Sequence, residues 1–464
     1  MNVWRFCMSV MLAFLGLAVG ASAQFSVLYN FGSNSGDPVG PSSSGIIAQG
    51  RDGNLYSATC NGGVHDKGAV FKITPAGTMT VLYNFDGTFG SCPGGGLTLG
   101  TDGNFYGTAG GGGRYDVGTV FKITSAGSLI VLHNFVSANE GRDPGAPPVQ
   151  GTDGNFYGTT LSGGQHAVGT IYRITPSGDF TTLHSFSGSD GAVPFAPLVL
   201  GADGSFYGVT SEGGGTGCSA VGCGVVFKIT PPYKFAVIYS FDGNDAGYPV
   251  GPLIQASDGN FYGTGSRGPG TVFRLTPKGK FTVVHTMNNA EGTNPAAGLV
   301  QASDGSGYGA NSYWGSGSNC GADGCGTFFY LMPNGSFSVL HNFDNTTGAT
   351  PNVTPFQHTN GILYGDTSAG GTYNEGVFYS WNASLPTFVS LLPYFGKVGA
   401  TIEFLGQGFT GTTGVSFNGT SAKFAVVSDT YLTATVPTGA TTGVVTVATP
   451  SGTSMSNKKF QIVQ

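Results

Sequence analysis

The sequence predicts an all-β protein, and three observations predict it. The first is composition: of 464 residues 82 are glycine, only 9% are charged and 12% are aromatic. A disordered chain needs few aromatics and a high net charge, and no Gly-X-Y period of the collagen kind is present. Short strands joined by glycine turns remain. The second is a phrase, Asp-Gly-Asn-Phe-Tyr-Gly, whose tyrosine recurs at Tyr56, Tyr106, Tyr157, Tyr207, Tyr262, Tyr308 and Tyr364. Its spacing of about 50 residues is that of a repeated multi-strand unit. The third is a strand missing from the last unit and present at the front of the chain.

Each unit reads as four strands. Strand a is typified by Pro252-Leu253-Ile254-Gln255. A Ser-Asp-Gly turn follows, because Asp-Gly favours the positive φ of a two-residue hairpin. Strand b is Asn-Phe-Tyr-Gly-Thr. A glycine-rich loop leads to strand c, spelled VFKIT at 70–74, 120–124 and 226–230. A Pro-x-Gly turn leads to strand d, of the type TVLHNF. Radial repetition of four-stranded sheets leaves only short, protected edges. The last unit stops after strand c at Trp381, and Phe25–Phe31 supplies the missing strand d. The expected architecture is therefore a seven-bladed β-propeller over residues 24–382, closed by its N-terminal strand. The b-to-c and d-to-a loops fall on one face and vary in length, so that face is the expected functional face.

The N-terminus reads as a signal peptide over residues 1–23: Arg5, an apolar run from Phe6 to Gly20, then the small-residue site Ala21-Ser22-Ala23. Cys7 leaves with it. Cys60, Cys92, Cys218, Cys223, Cys320 and Cys325 remain, an even set that suggests disulfides in an exported chain. Cys218/Cys223 and Cys320/Cys325 each sit within one b-to-c loop. Cys60 and Cys92 lie on the same face. Metal binding is the competing reading; structural zinc usually wants a second cysteine pair or histidines at matching spacing, and the Cys218/Cys223 and Cys320/Cys325 pairs are C-x4-C with no nearby histidine. The net charge of −6 gives no footprint for nucleic acid. Nothing after residue 24 is apolar enough to span a bilayer. A secreted or cell-surface location is expected.

With these phrases in view, residues 25–381 resemble the GloVer (Gloeobacter/Verrucomicrobia-type) tandem repeat of exported bacterial proteins. DGNFYGT, GG-x3-GTVFKIT and TVLHNF carry the resemblance, which implies no established activity. Residues 383–464 are similar to an IPT/TIG domain, an immunoglobulin-like sandwich. Leu392-Pro393, Ile402-Glu403-Phe404, Gly406-Gln407-Gly408-Phe409 and Gly443-Val444-Val445-Thr446-Val447 carry that likeness. Such domains act as spacers or binding modules beside another domain.

The chemistry is less explicit. The repeated aspartates Asp102, Asp153, Asp203, Asp258 and Asp304 precede a turn glycine and read as local hydrogen-bond acceptors. His133, His184, His285 and His341 alternate with Tyr29, Tyr83 and Tyr239 at one strand d position and read as packing residues. The d-to-a loops carry Asp37, Asp86, Glu140, Asp143, Asp190, Asp242, Asp245, Glu291 and Asp344. Their oxygens are of the kind calcium takes, at no known calcium-loop spacing. Solvated loops are the alternative, and no other cofactor is expected. The candidate ligand residues are Arg114, Tyr115, Asp116, His166, Tyr313, Trp314 and Tyr373, since rings beside amides and acids suit sugars. The expected partner is an extracellular polysaccharide or a cell-surface protein met by a non-catalytic binding or scaffold protein. The alternative is a propeller-based polysaccharide lyase or glycoside hydrolase, which needs an acid–base pair that breaks the repeat.

Overall fold

The computed structural model describes residues 24–41, 45–136, 139–215, 217–218 and 221–463. The expected signal peptide lies outside the described residues. No α-helix occurs among them. Seven four-stranded antiparallel sheets follow one another through the repeats, each in the order a-b-c-d. In unit 1 the strands are Ala48–Gln49, Leu55–Thr59, Ala69–Ile73 and Met79–Asn84. Only two residues of strand a join each ladder, so the Pro252–Gln255 stretch contributes Ile254–Gln255 alone. Strands b and c are the buried pair. Strand d, along one edge, is half-buried apart from its exposed second residue in units 1 and 2.

Unit 7 takes its fourth strand from the front of the chain. Gln24–Asn30 pairs antiparallel with Val377–Asn382, from Gln24 opposite Asn382 to Asn30 opposite Val377. Further bonds join unit 7 to unit 1. The Thr354 N–H donates to the Gly45 carbonyl at 3.2 Å, and buried His358 meets the Gly53 carbonyl at 3.0 Å.

The joints between units are built from repeat residues. The glutamine ending strand a accepts a backbone N–H from the preceding unit's a-to-b turn. Gln150 does so from Thr101, Gln255 from Ala202, Gln301 from Ser257, Gln357 from Ser303 and Gln49 from Thr359, at 2.7–3.1 Å. Strand d supplies a second joint. His133 stacks on Phe180, His184 on Phe235, His285 on Phe337 and His341 on Phe25, with centroids 3.8–4.1 Å apart. These histidines do pack between sheets. Burial pushes the His341 imidazole down to about 4.

The turn aspartates act as acceptors. Asp102 takes the Asn104 N–H and amide at 3.1 and 2.7 Å and the Tyr106 hydroxyl at 2.8 Å. Burial pushes its carboxyl up, and the hydrogen bonds outweigh that and hold it below the usual range.

Two further four-stranded sheets follow within residues 390–455, over one core that includes Phe404, Phe409, Phe417, Val445 and Phe460. This sandwich sits on the a-to-b turn end of the repeats. The Arg51 guanidinium pairs with the Glu403 carboxylate (Nε to Oε2, 2.8 Å) and lies 5.0 Å from the Tyr431 ring centre. The Tyr394 hydroxyl donates to the Leu200 carbonyl at 2.9 Å, and Gln407 to the Thr359 hydroxyl at 3.0 Å. Its footing follows the repeat's exceptions. Leu99 and Leu200 stand where the other five units have the joint glutamine. Leu99 packs in one cluster with Leu405, and Leu200 in one with Phe395.

Candidate functional site

In an antiparallel a-b-c-d sheet the b-to-c and d-to-a connections share one end. Here they also bond to each other, at Ser91/Gly111, Arg142/Ser162, Ala192/Glu212, Thr293/Tyr313 and Ala349/Ala369. All three disulfides lie at this end: Cys60–Cys92, Cys218–Cys223 and Cys320–Cys325. They point to an extracytoplasmic protein, because oxidising compartments are where disulfides persist.

The b-to-c loops are braced from strand d. The Asn84 side chain accepts the Val64 N–H, Asn134 that of Arg114, Ser185 that of Gln165 and Asn30 that of Thr372, at 2.8–3.0 Å. In these loops the second glycine of the Gly-Gly pair packs on strands c and d. At Gly164, for example, a Cβ would stand 2.4–2.6 Å from Ser185 and Thr170. The brace puts an exposed ring at the same place in four units: His65, Tyr115, His166 and Tyr373.

The candidate ligand residues fall on this face, on separate loops. Tyr115, Tyr313, Trp314 and Tyr373 are 40–51% exposed, and His166 is exposed. Arg114 lies over Tyr115 at 5.4 Å. Asp116 adopts φ 59° and accepts the Gly112 N–H at 3.2 Å, so it shapes its own loop. Among the described residues no hydrogen bond, ion pair or ring contact joins candidates from two different loops. Five of the d-to-a acids are engaged by side chains of strand d. Glu140, Asp190 and Glu291 meet His133, His184 and His285 at 3.0 Å. Asp37 takes the Tyr29 hydroxyl at 2.7 Å, and Asp245 takes that of Tyr239.

Unit 5 breaks the pattern. Between Arg267 and Gly270 its b-to-c loop has two residues, Gly268 and Pro269, where unit 3 has Gly163–Val168 between Ser162 and Gly169. The Gly-Gly pair and the ring-bearing tip are missing. A cleft of about 440 Å³ opens there, lined by Asp245, Ala246, Arg267, Pro269, Thr271 and Thr286, among others. The sequence signal for this cleft, not among the expected site residues, is the two-residue spacing between Arg267 and Gly270.

A sequence model of the Gloeobacter/Verrucomicrobia repeat matches residues 18–222 and 217–426. No curated protein sequence matches the chain. Among solved structures, the extracellular domain of a putative hybrid two-component system from B. thetaiotaomicron aligns at TM-score 0.50 and 10% identity. It covers 95% of this chain, which spans 57% of that one. A periplasmic gluconolactonase of Pseudomonas aeruginosa aligns at TM-score 0.45 and 16% identity, over 70% of this chain and 95% of that one. A gluconolactonase from Xanthomonas campestris aligns at TM-score 0.41 and 11% identity, over 78% and 90%.

Proposed function

The chain belongs to the Gloeobacter/Verrucomicrobia repeat family, and from that premise we propose that it is an extracellular recognition protein. Its seven sheets are the blades of a propeller closed by the N-terminal strand. Its C-terminal sandwich is an IPT/TIG domain. Its ligand, an extracellular polysaccharide or a cell-surface partner, meets the end carrying the b-to-c and d-to-a loops.

One observation carries this reading. The sandwich is seated on the a-to-b turns through Arg51, Leu99, Leu200 and Thr359, so the turn end already has its partner. The opposite end carries the residues that differ from unit to unit: Arg114, Tyr115 and Asp116 in unit 2, His166 in unit 3, Tyr313 and Trp314 in unit 6, Tyr373 in unit 7. Unlike loops held on a braced scaffold suit a single asymmetric ligand, whereas identical loops offer seven equal weak sites. Fold likeness does not choose the chemistry.

The test is a glycan and surface-protein binding screen with the mature protein, run beside an assay for reducing-end and unsaturated-sugar release. Binding without product release supports recognition. Steady product release would replace this reading with the lyase or hydrolase one.

A further inference from the structure

The unit 5 cleft differs from its counterparts in three linked ways. The first is its roof. In other units a glycine early in the b-to-c loop covers the start of strand c and the end of strand d: Gly113, second of a Gly-Gly pair, covers Thr119 and Asn134, and Gly315, after Trp314, covers Thr327 and Asn342. Unit 5 has no such glycine, and Thr271 and Thr286, at those same positions, line the cleft instead.

The second is an unpartnered hydroxyl. The strand c threonines Thr119, Thr170 and Thr327 donate to carbonyls of the preceding d-to-a loop, Phe89, Glu140 and Glu291, at 2.6–2.9 Å. In each case the residue after that carbonyl is a glycine of positive φ: Gly90, Gly141 or Gly292. The corresponding residue before unit 5 is Ala246, which does not adopt the left-handed φ. An alanine avoids that region because its Cβ crowds the backbone. The Thr271 Oγ1 consequently has no hydrogen-bond partner, although Thr271 is only 6% exposed. A buried hydroxyl without a partner carries a desolvation cost that a ligand would remove.

The third is a free cation. Arg267 occupies the position held by Ser162, Glu212 and Tyr313 elsewhere. It is half-buried and lies along Gly247 and Gly243 beside the Cys218–Cys223 bridge. Its guanidinium makes no ion pair or hydrogen bond among the described residues. The acid across the cleft is already engaged: Asp245 accepts the Tyr239 hydroxyl and the Ala246 N–H.

We propose that this cleft binds the carboxylate of a uronic acid residue, with Arg267 as the carboxylate fork and the Thr271 hydroxyl as partner to a sugar hydroxyl. A guanidinium presents a planar pair of donors matched to a carboxylate. The Asp245 carboxylate, which also lines the cleft, disfavours a dianion such as a phosphate ester. Pro269 and Ala246 give the apolar wall that a pyranose face needs. The inference rests on the loop-end reading above and narrows it to acidic polysaccharide.

Calorimetric titration of the full mature chain with oligogalacturonate, oligomannuronate and neutral cello-oligosaccharide tests it. The expected result is binding of a uronate oligomer, weakened at least tenfold by Arg267→Gln and several-fold by the near-isosteric Thr271→Val. Lys278→Gln, on the far turn of the same unit, leaves it unchanged. No uronate binding, uronate binding unaffected by Arg267→Gln, or preference for a sulfated or phosphorylated sugar would each overturn the inference. Neutral-glycan binding that is lost with Tyr115→Ala/Trp314→Ala/Tyr373→Ala and indifferent to Arg267→Gln would overturn it while leaving the loop-end reading intact. Absence of binding to any of these probes would overturn this inference, while the loop-end reading falls only if the wider glycan and surface-protein screen is also empty.

Discussion

Gln49 and Thr359, 310 residues apart in sequence, hold each other through two buried hydrogen bonds. The Gln49 amide donates to the Thr359 hydroxyl at 2.8 Å, and the Thr359 N–H donates back to the Gln49 carbonyl oxygen at 3.1 Å. The same bond joins neighbouring units elsewhere, so the first and last units meet as sequence neighbours do. Gln49→Ala should lower stability by about 1–3 kcal/mol, because it strands a buried donor. Deleting residues 24–31 should lower it further by removing a whole strand. Urea denaturation monitored by tryptophan fluorescence checks both. A deletion variant that unfolds like the parent would contradict the seam.

His341 gives that seam an acid sensitivity. Its ring stacks on Phe25 of the N-terminal strand, 3.8 Å away, and Thr347 lies at 3.2 Å from Nε2. Burial holds its folded value at about 4, opposed by the Asp344 charge, while an unfolded histidine titrates near 6.5. Between those values the unfolded chain binds more protons, so stability falls as pH drops from about 6.5 to about 4. His341→Tyr, the residue found at this position in units 1, 4 and 7, should flatten that part of the Tm-against-pH curve.

Asp366 acts in the opposite sense. It stands in strand b of unit 7 where units 2, 3 and 5 have threonine. It is fully buried, and neither carboxyl oxygen has a hydrogen-bond partner. Burial pushes its carboxyl up to about 8. The unfolded chain loses this proton first, so stability declines from about pH 4 to about pH 8 and then levels. Asp366→Thr should raise Tm at pH 8 more than at pH 5. An equal change at both would show that the carboxyl is not held neutral.

Arg51 seats the sandwich. Arg51→Ala leaves Glu403, only 8% exposed, without its cation. Burial already pushes that carboxyl up, with the guanidinium opposing. Breaking such a partly buried pair should cost roughly 1–3 kcal/mol. Faster amide exchange at residues 401–405 and at the 98–99 strand would report loosened seating.

Much of this fold was legible in the sequence because it is written seven times. The phrases located strands b, c and d, the turn aspartates and the strand borrowed from residues 25–31. The cysteine spacing gave the three bridges. What escaped notice were exceptions within the repeat. Leu99 and Leu200 replace a joint glutamine, and nothing local says that another domain covers them. The shortened unit 5 loop reads as a deletion, yet its effect arises from a missing glycine roof and the backbone change at Ala246. Tyr115, His166, Trp314 and Tyr373 were legible as exposed rings because they stand among glycines in the b-to-c loops.

The loop end as the recognition surface is tested most directly by one comparison. The mature protein and its Tyr115→Ala/Trp314→Ala/Tyr373→Ala variant are screened on the same array, beside a variant altered at the exposed turn residues Lys278 and Asn334. The expected result is binding that the triple loop variant loses at unchanged Tm and that the turn variant keeps. Binding that survives the loop substitutions and disappears with the turn substitutions would contradict it.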